Sequence, residues 1–202
     1  MKFKVALLPF LFIGALHVNA QNTTFSCPAN IVVKADNGKE GAMVSFPAPA
    51  AELGAVTYTP ASGSFFRLGS HSVVASAANG QKCAFTVTVT DNESPTLSPL
   101  TLSKKLLWPE TNKLKKVNVY YDASDNGGTV KTDIAVTSNA TDGSKDWEII
   151  DDHLVRLRTS RLPDGSVRIY TITVTATDDA GNKTTRSTTI AVSKTMTAVA
   201  SN

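Results

Sequence analysis

Two cysteines are the only thiols in this 202-residue chain: Cys27 opens CPANIVVKA, just ahead of the first strand-like run, and Cys83 stands at the head of the longest, KCAFTVTVTD. A pair of this kind can supply a nucleophile, half of a metal site or a disulfide. No CxxC accompanies it, and beyond the N-terminal leader only His71 and His153 remain as imidazoles, too few for an obvious zinc site. Oxygen donors are more plentiful. Asp122, Asp125 and Asn126 in DASDNGG, with Asp178, Asp179 and Asn182 in DDAGN, have the chemistry that Ca²⁺ takes. The same Asp-Gly and Asn-Gly runs are what β-turns need for local hydrogen bonds and positive φ. Neither has EF-hand or nonapeptide-repeat spacing, so turn structure is the favoured reading. We assign no metal and no cofactor, and calcium near Asp122, Asp125, Asp178 and Asp179 stays the open alternative.

Compartment decides which cysteine chemistry applies. MKFKVALLPFLFIGALHVNA begins with Lys2 and Lys4, continues as an apolar run and ends with Val18 and Ala20 at the spacing of a small-residue cleavage site, the pattern of a secretory signal peptide over residues 1–20. Its apolar run is shorter than the roughly 20 residues that cross a bilayer, and no later segment approaches that length, so membrane insertion is not expected. The protein is expected to be secreted, to the medium, periplasm or cell surface. In those compartments two cysteines oxidise, and with only two the pairing Cys27–Cys83 is forced. The 20 basic and 17 acidic residues give +3, and loss of Lys2 and Lys4 leaves +1, which provides no electrostatic case for nucleic acid.

The elements that must position these residues are strands. FTVTVTD, VTYTP, VNVYYDASD and IYTITVTATDD alternate apolar with Thr or charged residues and favour β-branched and aromatic types. Turn signals at 36–38, 125–128, 163–165 and 178–182 punctuate them, and no segment holds a helical apolar period. The pattern predicts an all-β protein made of two tandem antiparallel immunoglobulin-like β-sandwiches. TDNESPTLSP, with Pro95 and Pro99, marks the boundary. The expected layout is a signal peptide at 1–20, sandwiches at 21–94 and 95–195 in semi-rigid connection, and a short tail at 196–202.

Residues 27–95 also carry a family likeness. The opening Cys27-Pro28, VSFPAP, Ser62-Gly63 followed by FRLGSHSV, Cys83 in CAFTVTV, and closing Asp91 and Pro95 resemble a hyalin repeat, the HYR domain, an immunoglobulin-like sandwich of extracellular proteins. The resemblance implies the same Cys27–Cys83 bridge and a role in adhesion or protein contact. The second half resembles an Ig-like domain of secreted bacterial proteins marked by a Trp-Pro-Pro-Asn-His-Lys loop. Trp108, Pro109, Lys113, Leu157, Arg158, Arg161, Gly165, Arg168, Tyr170, Asp178, Gly181 and Asn182 fit that pattern, while Glu110, Thr111 and Asn112 depart from it. This likeness implies architecture and a bacterial source, and no reaction.

Catalysis is not expected. GxSxG, HExxH and P-loop motifs are absent, and Ser70, His71 and Ser72 are strand neighbours that point to opposite faces. Arg156 and Arg158 share one strand face and are read as ion-pairing with a neighbouring strand or as a solvated face, rather than as a polyanion site. Trp108 and Trp147 stand beside large apolar residues and are read as core aromatics, with a sugar-stacking platform as the alternative. The reading is a noncatalytic adhesion or binding module whose sandwich faces or end loops contact an extracellular protein or glycan. The alternatives are a carbohydrate-binding accessory protein, discriminated by exposure of Trp108, Trp147, Tyr120 and Tyr121, and a structural spacer.

Overall fold

The computed structural model describes residues 25–47, 54–141, 143 and 145–195; the expected signal peptide and the tail at 196–202 lie outside the described residues. Regular structure among the described residues is β throughout. The first sandwich contains β1 (Ile31–Lys34), β2 (Gly41–Val44), β3 (Val56–Thr59), β4 (Ser64–Arg67), β5 (Gly69–Ala77) and β6 (Lys82–Thr90). A sheet in the order β1-β6-β5-β3 packs on a β2–β4 ribbon. Alternation dictates which side chains meet. Val73 on β5 and Phe85, Val87 and Val89 on β6 point inward against Ala42, Val44 and Phe66 of the ribbon. Phe46 contacts Tyr58, Phe66 and Phe85 edge-on with ring centroids 5.2, 5.9 and 5.2 Å apart, and burying each large ring contributes about 1.5–3 kcal/mol. The ribbon tolerates no side chain at Gly41, where a Cβ would lie 2.1 Å from the Phe66 carbonyl oxygen.

One pairing departs from the antiparallel expectation. β1 runs parallel to β6, with Ile31 opposite Val87 and Lys34 opposite Thr90. A covalent link sits four residues upstream of the first pair on both strands. Cys27 and Cys83 are disulfide-bonded with Cα atoms 5.7 Å apart, and this equal offset on the two strands matches the parallel register that follows it.

The second sandwich comprises β7 (Thr96–Leu97), β8 (Thr101–Leu102), β9 (Leu114–Tyr120), β10 (Ala123–Ser124), β11 (Val130–Ser138), β12 (Trp147–Asp151), β13 (Leu154–Arg158), β14 (Ile169–Asp178) and β15 (Lys183–Ala191). Its sheets have the orders β11-β14-β15 and β12-β13-β9-β8, with a small β7–β10 ribbon beside them. Tyr170, Ile172, Val174 and Ala176 on β14 are all buried, and they pack with Val117, Val119, Val155 and Leu157 of the facing sheet. The intervening Thr171, Thr173, Thr175 and Thr177 face outward, as period-two alternation requires.

A polar clamp lies beneath this core. Arg168 is only 3% exposed; its Nη1 sits 2.5 Å from Asp146 Oδ2, while Arg158 Nε donates to Asp146 Oδ1 at 2.8 Å. The Tyr170 hydroxyl lies 3.0 Å from the Arg158 carbonyl and 3.1 Å from that of Asp146, and burial pushes its phenol up to about 12. Arg156 pairs across the strands with Glu148 at 3.1 Å, so the strand arginines do serve as ion-pair partners. The tryptophans divide. Trp147 packs edge-on against Tyr170 at 6.4 Å on the core margin, whereas Trp108 is 39% exposed and donates its Nε1 hydrogen to the Lys194 carbonyl at 3.2 Å. The core-aromatic expectation fails at Trp108 because its neighbour Leu107 takes the inward position and is fully buried.

Candidate functional site

The chemistry-bearing residues gather at the two ends of the β7–β10 ribbon, where the linker from β6 enters the second sandwich. Beyond β6 the chain turns on Asp91, whose Oδ1 accepts the Glu93 amide at 3.0 Å. Glu93 Oε2 then accepts the Gly38 amide from the β1–β2 turn at 2.8 Å and a hydrogen bond from Asn126 Nδ2 of the second sandwich. Asn126 Nδ2 also reaches the Lys39 carbonyl at 3.3 Å. A carboxylate and an amide thus stitch a turn of the first sandwich to a loop of the second, and Pro95 in the connecting segment is buried. These hydrogen bonds link the two halves of the chain directly.

Three carboxylates converge there. One oxygen each of Asp91, Asp125 and Asp178 lie within 4.8 Å of one another. Asp178 is 7% exposed and accepts from the Asn182 amide at 2.8 Å and from Asn182 Nδ2 at 2.9 Å; Asp125 Oδ2 accepts the Gly127 amide at 2.9 Å. Like charges at this spacing repel, and an all-oxygen donor set is the kind a hard divalent cation takes. These are the described residues that could hold a metal. Adjacent to them, the Asn126 Oδ1 atom is buried with no hydrogen-bond partner.

Of the four aspartates singled out in the sequence, Asp125 and Asp178 come together and the other two do not. Asp179 is engaged by Thr129, whose amide and hydroxyl donate to it at 2.9–3.0 Å and hold its carboxyl below the usual range. Asp122 is directed to the opposite end of β10. Asp91 joins the group from the linker. Sequence reading treated it as a domain boundary, although an acidic Asp-Asn-Glu run entering a domain with acidic loops was a usable signal.

Glycine makes the junction close. A Cβ on Gly127 would lie 2.6 Å from Leu68 Cδ1 and 2.7 Å from Asp91 Oδ2, both in the first half of the chain. Gly127→Ala is therefore expected to displace the Leu68 and Asp91 side-chain ends and destabilise the junction by about 1 kcal/mol, the low end of overpacking costs. Small-angle scattering and thermal melts check this, and a scattering curve and melting temperature identical to wild type would contradict it.

At the other end of the ribbon a cleft of about 430 Å³ is lined by Ser98, Thr101, Tyr120, Tyr121, Asp122 and His153. The Tyr121 ring stacks on His153 at 4.4 Å and 21°. Its hydroxyl donates to the Asp152 carbonyl at 2.8 Å and lies 3.0 Å from Thr132 Oγ1, and burial raises its pKa above the ordinary value. His153 Nδ1 is 3.0 Å from the Val119 carbonyl oxygen, which can only accept, so this nitrogen carries the proton. His71 Nε2 meets the Arg67 carbonyl at 2.8 Å, and Ser70 Oγ pairs with Thr88 Oγ1 at 3.0 Å.

Among solved structures, the chain is similar to Clostridium thermocellum CbhA fibronectin(III)-like modules, with 22% identity, a TM-score of 0.36, and coverage of 81% of this chain and 90% of that one. It is also similar to protocadherin gamma B2 extracellular cadherin domains 3–6 at 15% identity and a TM-score of 0.35, covering 84% of this chain and 47% of that one. For the human desmocollin-1 ectodomain the values are 18%, 0.28, 84% and 36%, so the chain spans less than half of either cadherin structure. No curated protein matches it. Residues 18–89, which contain the whole first sandwich up to the penultimate residue of β6 and both cysteines, match the family described as HYR domain.

Proposed function

We propose that the chain is a secreted, noncatalytic adhesion-type module that contacts an extracellular protein or glycan through its sandwich faces or end loops. The HYR match across residues 18–89 carries this reading. The signal-peptide pattern at residues 1–20 and the bonding of both thiols into one bridge support it, because a thiol held in a disulfide is no nucleophile. The domain limits 21–94 and 95–195 belong to the same proposal, with two separate hydrophobic cores in support. So does a bacterial source, supported by the second half's resemblance to a secreted bacterial Ig-like domain.

The accessory carbohydrate-binding reading gains from one observation: Tyr120 is 51% exposed at the cleft. The test is a pull-down and a glycan array with the full-length product after export, each run with calcium and with chelator. Capture of a defined protein or glycan is expected. A folded product that captures neither under both conditions would reduce the chain to a spacer.

A further inference from the structure

The binding-module reading leaves the partner's chemistry open, and the cleft between the β7–β10 ribbon and the end of β9 narrows it. Tyr120 lies on the outer face of β9, as does Asn118 two residues back, and Asn118 Nδ2 donates to the Tyr120 hydroxyl at 3.3 Å. That bond ties the hydroxyl back along the strand, while half of the residue stays exposed. A ring held in this way loses little freedom when a flat ligand stacks on it. The polar groups around it offer both halves of a hydrogen bond. Ser98 Oγ accepts the Asp122 amide at 2.8 Å, so its own proton is free to donate. In the neutral imidazole of His153, donation from Nδ1 to the Val119 carbonyl leaves Nε2 as an acceptor. The Thr101 hydroxyl does either, and the exposed Asp122 carboxylate accepts.

We propose that this cleft binds one neutral saccharide unit of a glycan, with the Tyr120 ring as the stacking face and the Asp122 carboxylate accepting sugar hydroxyls. The proposal rests on the binding-module reading and specifies its ligand. A pyranose presents an apolar C–H face and a rim of hydroxyls that both donate and accept, which matches an aromatic floor with mixed polar walls. Anionic sugars are disfavoured, because Asp122 lines the cleft, Asp151 and Asp152 flank it, and no Lys or Arg among the described residues lines it. A cationic side chain would satisfy the carboxylate and leave the donors of Ser98 and Thr101 without a role.

The experiment titrates ¹⁵N-labelled full-length exported product with cellotetraose, chitotetraose, xylotetraose and mannotetraose, with trigalacturonate as the anionic probe and hexa-arginine as the cationic one. At least one neutral oligosaccharide is expected to shift the resonances of Tyr120, Asp122 and His153 with a dissociation constant of about 0.1–1 mM, the range a small exposed cleft reaches. Tyr120→Ala and Asp122→Asn should each weaken it at least tenfold without changing the melting temperature. Failure of all four neutral sugars, unchanged affinity in Y120A, or shifts with hexa-arginine or trigalacturonate alone would each overturn the assignment. A pull-down partner still captured by Y120A in that case would preserve the module reading while removing the cleft from it; loss of all capture by wild type would remove the module reading itself.

Discussion

Replacing Asp146 by alanine is expected to lower the unfolding free energy of the second sandwich by about 3–5 kcal/mol, the cost of leaving a buried charge unpaired. Arg168 is 3% exposed, and Asp146 lies against its Nη1 at 2.5 Å. The described hydrogen bonds of Arg168 are to carbonyls, with Nε donating to Ser160 at 2.9 Å, so truncation removes the carboxylate that Arg168 shares with Arg158 and leaves two guanidinium cations side by side. Arg158, 2.8 Å from the same carboxylate but partly exposed, would lose less because water reaches it. The internal comparison is Glu148→Ala, which removes an exposed partner of Arg156 and should cost no more than about 1 kcal/mol. Denaturant unfolding of the two variants separates these cases. Equal and small losses would show that the clamp contributes nothing beyond surface pairing.

Breaking the bridge with Cys27→Ser and Cys83→Ser is expected to cost about 4 kcal/mol, because the unfolded chain regains the freedom of a loop spanning 56 positions. The loss should be confined to the first sandwich. The bridge heads the parallel β1–β6 pair, so β1 should also be the first strand to lose amide-exchange protection, while β14 and β15 keep theirs. Calorimetry with and without reductant measures the stability term, and hydrogen exchange locates it. Two titratable thiols per chain in the exported protein, or an unchanged melting profile under reductant, would overturn the assignment of the pair as a structural clasp.

Much of the fold was readable because strand periodicity is a local property. In IYTITVTATD each apolar residue from Tyr170 to Ala176 is buried and each intervening threonine faces outward, as the pattern alone requires. The arginines were readable as ion-pair partners for a related reason: Arg156 and Arg158, two apart, share a strand face. Trp108 was misread because periodicity does not say which member of an adjacent apolar pair turns inward. Leu107 fills the available volume, and the larger ring is left at the surface.

The candidate sites were legible only in part. The acidic turns were visible as turns, yet the grouping of Asp91, Asp125 and Asp178 joins a linker to two loops, one after β10 and one at the β14–β15 turn. No spacing rule connects positions so far apart. The same holds for the Asp146 clamp and for the Tyr120 cleft, which depends on the β7–β10 pairing placing Ser98 beside Asp122.

The sequence by itself determined an all-β chain, the alternating inward and outward residues of its long strands, and two cysteines with only each other as partner. These follow from backbone geometry and residue chemistry within a few positions, or from a count. The tertiary structure decided the parallel course of β1, the exposure of Trp108 and the convergence of three carboxylates at the junction. Each of those depends on which distant segments share volume, and that is settled when the two cores pack.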